Sequence, residues 1–543
     1  MSSWEIWDTS TWTTNIPDAA LWKGKNGSTT NNSLVNCYIA VDHDFTMNQN
    51  FLVSGSGGNH SNMNFTLDGT SITFGEAAGT MPFNFNDYSD TVSFALGFYF
   101  NAATSSTGTV NFNNTATTFD LYTVDKIVGG ASIKKFGRVI SFGEGITANF
   151  AGNLTVSGRN SALTVSDSLF SVAGNLNVAG TLFLNTTIAN FSGAVRANAI
   201  ELSGTKLTLS SALAPKTASS VDVHFTGGTN DVTVAHSSDF SNSAITVDAG
   251  ATVNIVATTP KQFDIYKAST IKGTLNINAG SHSSNASSYI RANTVVDGGL
   301  LTDSSSSAAY ALMPLHATLT LQNSAIARTT SGSGGIGVAA GGVTTVDETS
   351  VLDTNWLVFY SGGEGGVAAN LYLSSAANLA KTPQILVNAK GTNAGDLLTG
   401  KIHLTADESA YQFSTIQFLR RTNLDVYLNG ASVEFGGVSN YGGKACTSVL
   451  TFYEFLNGTV KLGIDESIIA ASGVITLPTA GASLTVKGYA PGSETLLDGD
   501  WGIDAGGYLW NSAASYIPEP AEWASLFGLI ALALAAYRRR KAG

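Results

Sequence analysis

Between about residues 100 and 450 the chain repeats one short theme: an apolar residue, a polar one, a second apolar one, then Gly, Asn, Ser or Asp. The pairs Leu154/Val156, Leu163/Val165, Phe170/Val172, Leu176/Val178 and Leu182/Leu184 follow it closely. After Phe191 come Ile200/Leu202 and Leu207/Leu209, and a second block reads Ile245/Val247, Val253/Ile255, Phe263/Ile265 and Leu275/Ile277. A period of two puts the apolar residues on one face of a strand, and the small or amide residues end the strand. Taken three strands at a time, 154 to 176 is 22 residues and 182 to 207 is 25, the size of one triangular turn of stacked strands. The expected fold is therefore all-β: a parallel β-solenoid (β-helix) with terminal caps, plus one C-terminal transmembrane helix. The alternative is tandem antiparallel β-sandwiches. These favour strands of about five or six residues and Asn-Gly or Asp-Gly hairpins, which are scarce between these pairs.

The pattern divides the chain into residues 1–100, an N-terminal cap and first β turns, and 101–447, the solenoid. A C-terminal β cap follows at 448–511, then a tether at 512–517 and a last segment at 518–543. Trp4, Trp7, Trp12 and Trp22 cluster in the first cap. A stack of strands has two open ends that need covering.

Composition narrows the class. Lys and Arg number 27 against 39 Asp and Glu, a net charge of −12, and charged residues are only 12% of the 543 positions. Ser, Thr and Asn supply 161 positions. A nucleic-acid partner needs a basic face, and none is expected here. Disordered chains are richer in charge and poorer in apolar residues than the 43% found here. Cys37 and Cys446 lie 409 residues apart and form neither a disulfide framework nor a metal knuckle.

The last residues carry the sharpest signal. Tyr516-Ile-Pro-Glu-Pro520 precedes an uncharged run from Trp523 to Tyr537, and Arg538, Arg539, Arg540 and Lys541 follow it. As a helix, 523–537 spans about 22 Å. A hydrocarbon core is about 30 Å thick, so the span needs snorkelling side chains or a thinned bilayer. Trp523 and Tyr537 are the expected span ends, and the basic residues are the cytoplasmic stop that leaves 1–520 on the other side. The two prolines withhold donors and keep 517–520 extended.

Pro518, Glu519 and Pro520, the short apolar run and the basic cluster together resemble the PEP-CTERM sorting signal. The resemblance covers the last 26 residues, 518–543. It implies recognition and processing by an exosortase-type membrane enzyme. The C-terminal helix would sit in the inner membrane before processing, and the body would be delivered to the outer side or released. The body is similar to an autotransporter passenger. The family also implies an N-terminal signal peptide. Met1–Ser10 has no basic n-region and no apolar stretch of about 7–15 residues, so either a start upstream of Met1, the favoured reading, or another export route is expected.

Candidate chemistry is sparse. His43, His60, His224, His236, His282, His316 and His403 form no ligand pair or HExxH. Asp42-His43-Asp44 is the densest polar cluster, but strand alternation sends His43 away from both aspartates. Gly332-Ser-Gly-Gly-Ile-Gly337 matches the dinucleotide pattern but opens no helix, and it reads as a flexible loop, as does Gly362–Gly366. Asp407-Glu408 and Arg420-Arg421 read as a solvated rim. Trp356 with Tyr360, or Tyr310, are the candidates for an aromatic sugar platform, although core burial suits them better.

The expectation is a non-catalytic structural or adhesive protein of the cell surface or extracellular matrix, without catalytic residues, metal or cofactor. Exopolysaccharide or other surface proteins are its expected partners. The alternative is a β-helix polysaccharide lyase or hydrolase, or a carbohydrate-binding surface protein. A lyase or hydrolase needs paired carboxylates on one face.

Overall fold

The computed structural model describes residues 5–7, 12–13, 37–41, 44–47, 51–53, 62–74, 83–87, 97–120, 138–157, 161–215, 220–236, 240, 243–259, 262–280, 288–305, 310–330, 335–361, 366–389, 398–419, 421–441, 447–515 and 537–538. They form two compact units, 1–334 and 335–543. Both are built of short strands in long parallel sheets. Antiparallel sandwiches are thereby overturned, since among the described residues antiparallel pairing is confined to segments near the two ends of the chain.

In the first unit, strands from Cys37–Val41 to Leu213–Pro215 are dealt in turn to three sheets, so that every third strand returns to the same one. Leu154 pairs with Leu176, as the 22-residue spacing predicts. Leu182 instead pairs with Ile200, a step of 18 residues, because the short strand Val195–Ala197 completes the third sheet between them. Its alternation of Val, Arg and Ala is too weakly apolar to stand out in the sequence, and the 25-residue estimate from 182 to 207 fails for that reason.

Parallel in-register pairing stacks like on like. Phe65 pairs with Phe100 and Phe100 with Phe142, with ring centroids 4.8 and 5.0 Å apart. In the next sheet Phe74, Phe112 and Phe150 stack at 4.9 and 4.2 Å. The two files meet edge to face, as in Phe142–Phe150 at 6.0 Å and 89°. Phe119 of the third sheet packs its edge against Phe98 and Phe112. All these rings are buried, so three sheets share one apolar core.

The bends between sheets stack too. The hydroxyls of Ser168, Thr187 and Thr205 are buried in one column, each donating to a carbonyl of its own strand end and to one in the preceding strand. At another bend Asn153 Oδ1 accepts the Asn175 N–H at 2.7 Å, and Asn175 Oδ1 accepts the Ala194 N–H at 2.9 Å. Buried polar groups are thus paired without charge, which explains how a chain so poor in ions can bend this often.

In the second unit one sheet runs through Val343–Val346, Ala369–Leu373, Leu398–Leu404, Thr422–Tyr427, Thr447–Tyr453 and Ser483–Tyr489, all parallel. A second contains Gly335–Ala339, Trp356–Tyr360, Gln384–Asn388, Ile416–Leu419 and Val438–Asn440. Gly335–Gly337 therefore lie in a buried strand, which corrects the flexible loop expected there. A Cβ on Gly335 would meet the Trp356 Cβ at 2.6 Å, so the glycine permits close strand packing.

Near its end Val474–Thr476 covers the edge of Ser483–Tyr489 in antiparallel fashion. Such a cover blunts an edge that would otherwise template further pairing. Buried Asn457 then holds the chain end: its side-chain amide donates to the carbonyls of Asn511 and Ala514, and its N–H donates to the Ser515 carbonyl at 2.8 Å. Docking thus continues to Ser515, inside the segment expected to begin a tether.

Among the described residues no helix is long and apolar enough to cross a membrane. Tyr537 and Arg538 are helical and exposed. Pro518, Glu519, Pro520, Trp523, Arg539, Arg540 and Lys541 lie outside the described residues, as do His43 and Cys446.

Candidate binding surface

The aromatic residues singled out from the sequence do not make a platform. Tyr310 and Tyr360 are buried, and Trp356 packs edge to face on Tyr441 at 6.5 Å and 86°. Asp407 is half-buried and Glu408 exposed, as a rim would be, but Asp407 also has a structural role. Its Oδ2 accepts from the Ser375 hydroxyl at 2.7 Å and from the Ala376 N–H at 2.8 Å, capping a one-turn helix on a neighbouring strand connection. These bonds hold its carboxyl below the usual range.

A file of rings that the sequence reading missed occupies the outward side of the sheet in the second unit. Five consecutive strands each contribute one ring at a register-equivalent position, Tyr372, His403, Tyr427, Tyr453 and Tyr489, and Val343–Val346 places Thr345 there instead. Centroids are 4.2, 4.4, 4.3 and 4.9 Å apart in that order, with planes within 10° of parallel. The spacing is close to the strand separation of about 4.8 Å, so the ladder itself sets it. Beside this file runs a second outward row, Asn370, Lys401, Asp425, Thr451 and Lys487.

The two rows set each other's chemistry. Burial between two tyrosines, reinforced by the Lys401 charge, lowers the His403 pKa to about 4, so its imidazole is neutral near pH 7. Lys401 Nζ stands 5.8 Å from the Tyr427 ring centroid. Burial raises the Asp425 carboxyl, against the pull of Lys401 and the Thr451 hydroxyl. Burial, then the Asp425 charge and the flanking phenols push the Tyr453 hydroxyl well above its ordinary value. The ring faces inside the file cover one another. Thr451 is buried, so what reaches solvent is a line of ring edges beside amide and ammonium groups, a strip suited to hydrogen bonding more than to stacking.

Elsewhere polar clusters serve the frame. In the first unit Arg291 Nε bonds Asp264 Oδ2 at 3.1 Å, with its guanidinium 4.8 Å from the Tyr289 ring centroid and 5.3 Å from that of Tyr266. Buried Asp303 accepts from the Ser288 hydroxyl and, at 2.9 Å, from the Ser305 N–H. Among the described residues no group of three or more His, Cys, Asp or Glu is placed to hold a metal ion. Comparison with known protein families, curated proteins and solved structures finds no match for this chain.

Proposed function

We propose that this chain is an exported, non-catalytic structural or adhesive protein of the cell surface or extracellular matrix. On this reading its body is a closed parallel β-solenoid, and 518–543 is a PEP-CTERM sorting segment whose helix holds the protein in the inner membrane until an exosortase-type enzyme acts. The observation that carries the reading is the in-register stacking of like residues through long parallel sheets. Each strand then contacts mainly its neighbours, and the body grows by repetition. The fate of the carboxylates supports a structural role: Asp297 is hydrogen-bonded by Gln322 and Asn323, Asp407 caps a turn, and Asp465 caps another through the Ser467 N–H. The net charge of −12 favours neutral or cationic partners over nucleic acid.

Intact-mass analysis of the native protein from cell-surface and culture fractions tests this. A species ending shortly after Ser515 is the expected result. A full-length species found only in the cytosol would overturn the proposal.

A second reading, a carbohydrate-binding surface, is favoured by the outward file from Tyr372 to Tyr489 with the flanking Asn370 amide and Lys401 and Lys487 ammonium groups. Exopolysaccharide is the partner class that such a strip suits.

A further inference from the structure

We propose that Tyr427, Tyr453 and Tyr489 form an oxidative cross-linking site, at which neighbouring phenols couple to dityrosine and staple consecutive strands of the sheet. The proposal rests on the ring file alone and holds whether or not the chain is exported.

Tyr427 and Tyr453 stack at 4.3 Å and 6°, and Tyr453 and Tyr489 at 4.9 Å and 4°. Both pairs are direct register partners on adjacent parallel strands. Near-parallel rings at these separations set the two phenols of each pair face to face. Coupling then requires the side chains to turn and tilt so that one ortho carbon of each ring meets the other, between strands about 4.8 Å apart. All three rings are partly exposed, so the oxidant need not enter the core.

The co-reactant is a one-electron oxidising system of the peroxidase–hydrogen peroxide class. Each phenol gives up one electron and its hydroxyl proton, leaving a phenoxyl radical. The two radicals join through one new carbon–carbon bond between the carbons ortho to oxygen. The two ring hydrogens then shift to the oxygens, restoring both phenols. In total two tyrosines lose two hydrogens, and one peroxide becomes two waters.

The same file contains its own control. His403 lies between Tyr372 and Tyr427, 4.2 and 4.4 Å from them, so Tyr372 has no phenol as a stacking neighbour. Tyr372 is nevertheless exposed (38%), as are Tyr266, Tyr441 and Tyr537. Accessibility alone would direct oxidation to these four, whereas stacking directs coupling to the pairs that contain Tyr453.

The experiment treats dilute full-length protein with a peroxidase and hydrogen peroxide, then separates monomer from cross-linked chains. Monomer is assayed for dityrosine fluorescence and mapped by trypsin and mass spectrometry. Lys444 lies between Tyr427 and Tyr453, and Lys461 between Tyr453 and Tyr489, so a staple joins peptides that trypsin otherwise separates. The expected product is monomer in which Tyr453 is bonded to Tyr427 or Tyr489, with loss of two hydrogens. Tyr453→Phe keeps the stacked ring and removes the hydroxyl, and it should abolish the monomer signal. His403→Tyr should extend coupling to Tyr372. Absence of dityrosine in the wild-type monomer would overturn the proposal. So would a signal unchanged in Tyr453→Phe, or links mainly at Tyr266, Tyr441 and Tyr537.

Discussion

The first unit stacks its aromatic residues inward and the second stacks a comparable file outward. Phe74, Phe112 and Phe150 lie in the core, while Tyr372 to Tyr489 lie on the solvent side of their sheet. The same device, in-register pairing, makes both files. What differs is the source of stability. Inside, each ring is removed from water on every side, and burial supplies most of the gain. Outside, only ring–ring contact and partial coverage contribute, and the His403 imidazole has a polar neighbour in Asn370 Oδ1 at 3.4 Å. An inward file therefore holds the fold, whereas an outward one is free to carry chemistry.

Substitutions separate the two roles. The largest effect is expected for Phe112→Ala, which leaves a void between Phe74 and Phe150. Loss of a buried Phe side chain costs about 3–5 kcal/mol, to be read as a lowered urea midpoint. Tyr427→Ala removes two outward stacking pairs, each about 0.5–1.5 kcal/mol, so its midpoint should fall by clearly less. Equal losses from the two variants would erase the distinction.

A pH-dependent effect sharpens the outward file. His403 titrates at about 4 in the fold, below its ordinary value of about 6.5 in an unfolded chain. The unfolded state therefore binds the extra proton between these values. Its contribution is fully present above about pH 6.5, declines as pH falls towards 4, and changes no further below that. Urea midpoints measured at both ends of this window should differ less for His403→Phe than for the wild type. A steeper pH dependence in that variant would contradict the neutral, sandwiched imidazole.

Much of this was legible in the chain itself. Alternation with period two identifies which residues of Asn153–Ser157 or Leu176–Val178 face inward, because strand geometry sends successive side chains to opposite faces. The pairing of Leu154 with Leu176 was legible as well, since the intervening strands are strongly patterned. Val195–Ala197 was not, because a three-residue strand with an arginine at its centre has too little contrast. Gly335–Gly337 looked like a loop, because sequence alone does not reveal that a neighbouring Trp356 needs the space of a missing Cβ.

The ring file marks the boundary. Tyr372, His403, Tyr427, Tyr453 and Tyr489 are separated by 31, 24, 26 and 36 residues, with no constant period. Local alternation sets each at an outward position of its strand, a placement the sequence reading did not single out. Only the tertiary structure decided that the five positions coincide. Alternation is a local property of the backbone, whereas lateral register depends on how the connections of unequal length fold away between strands.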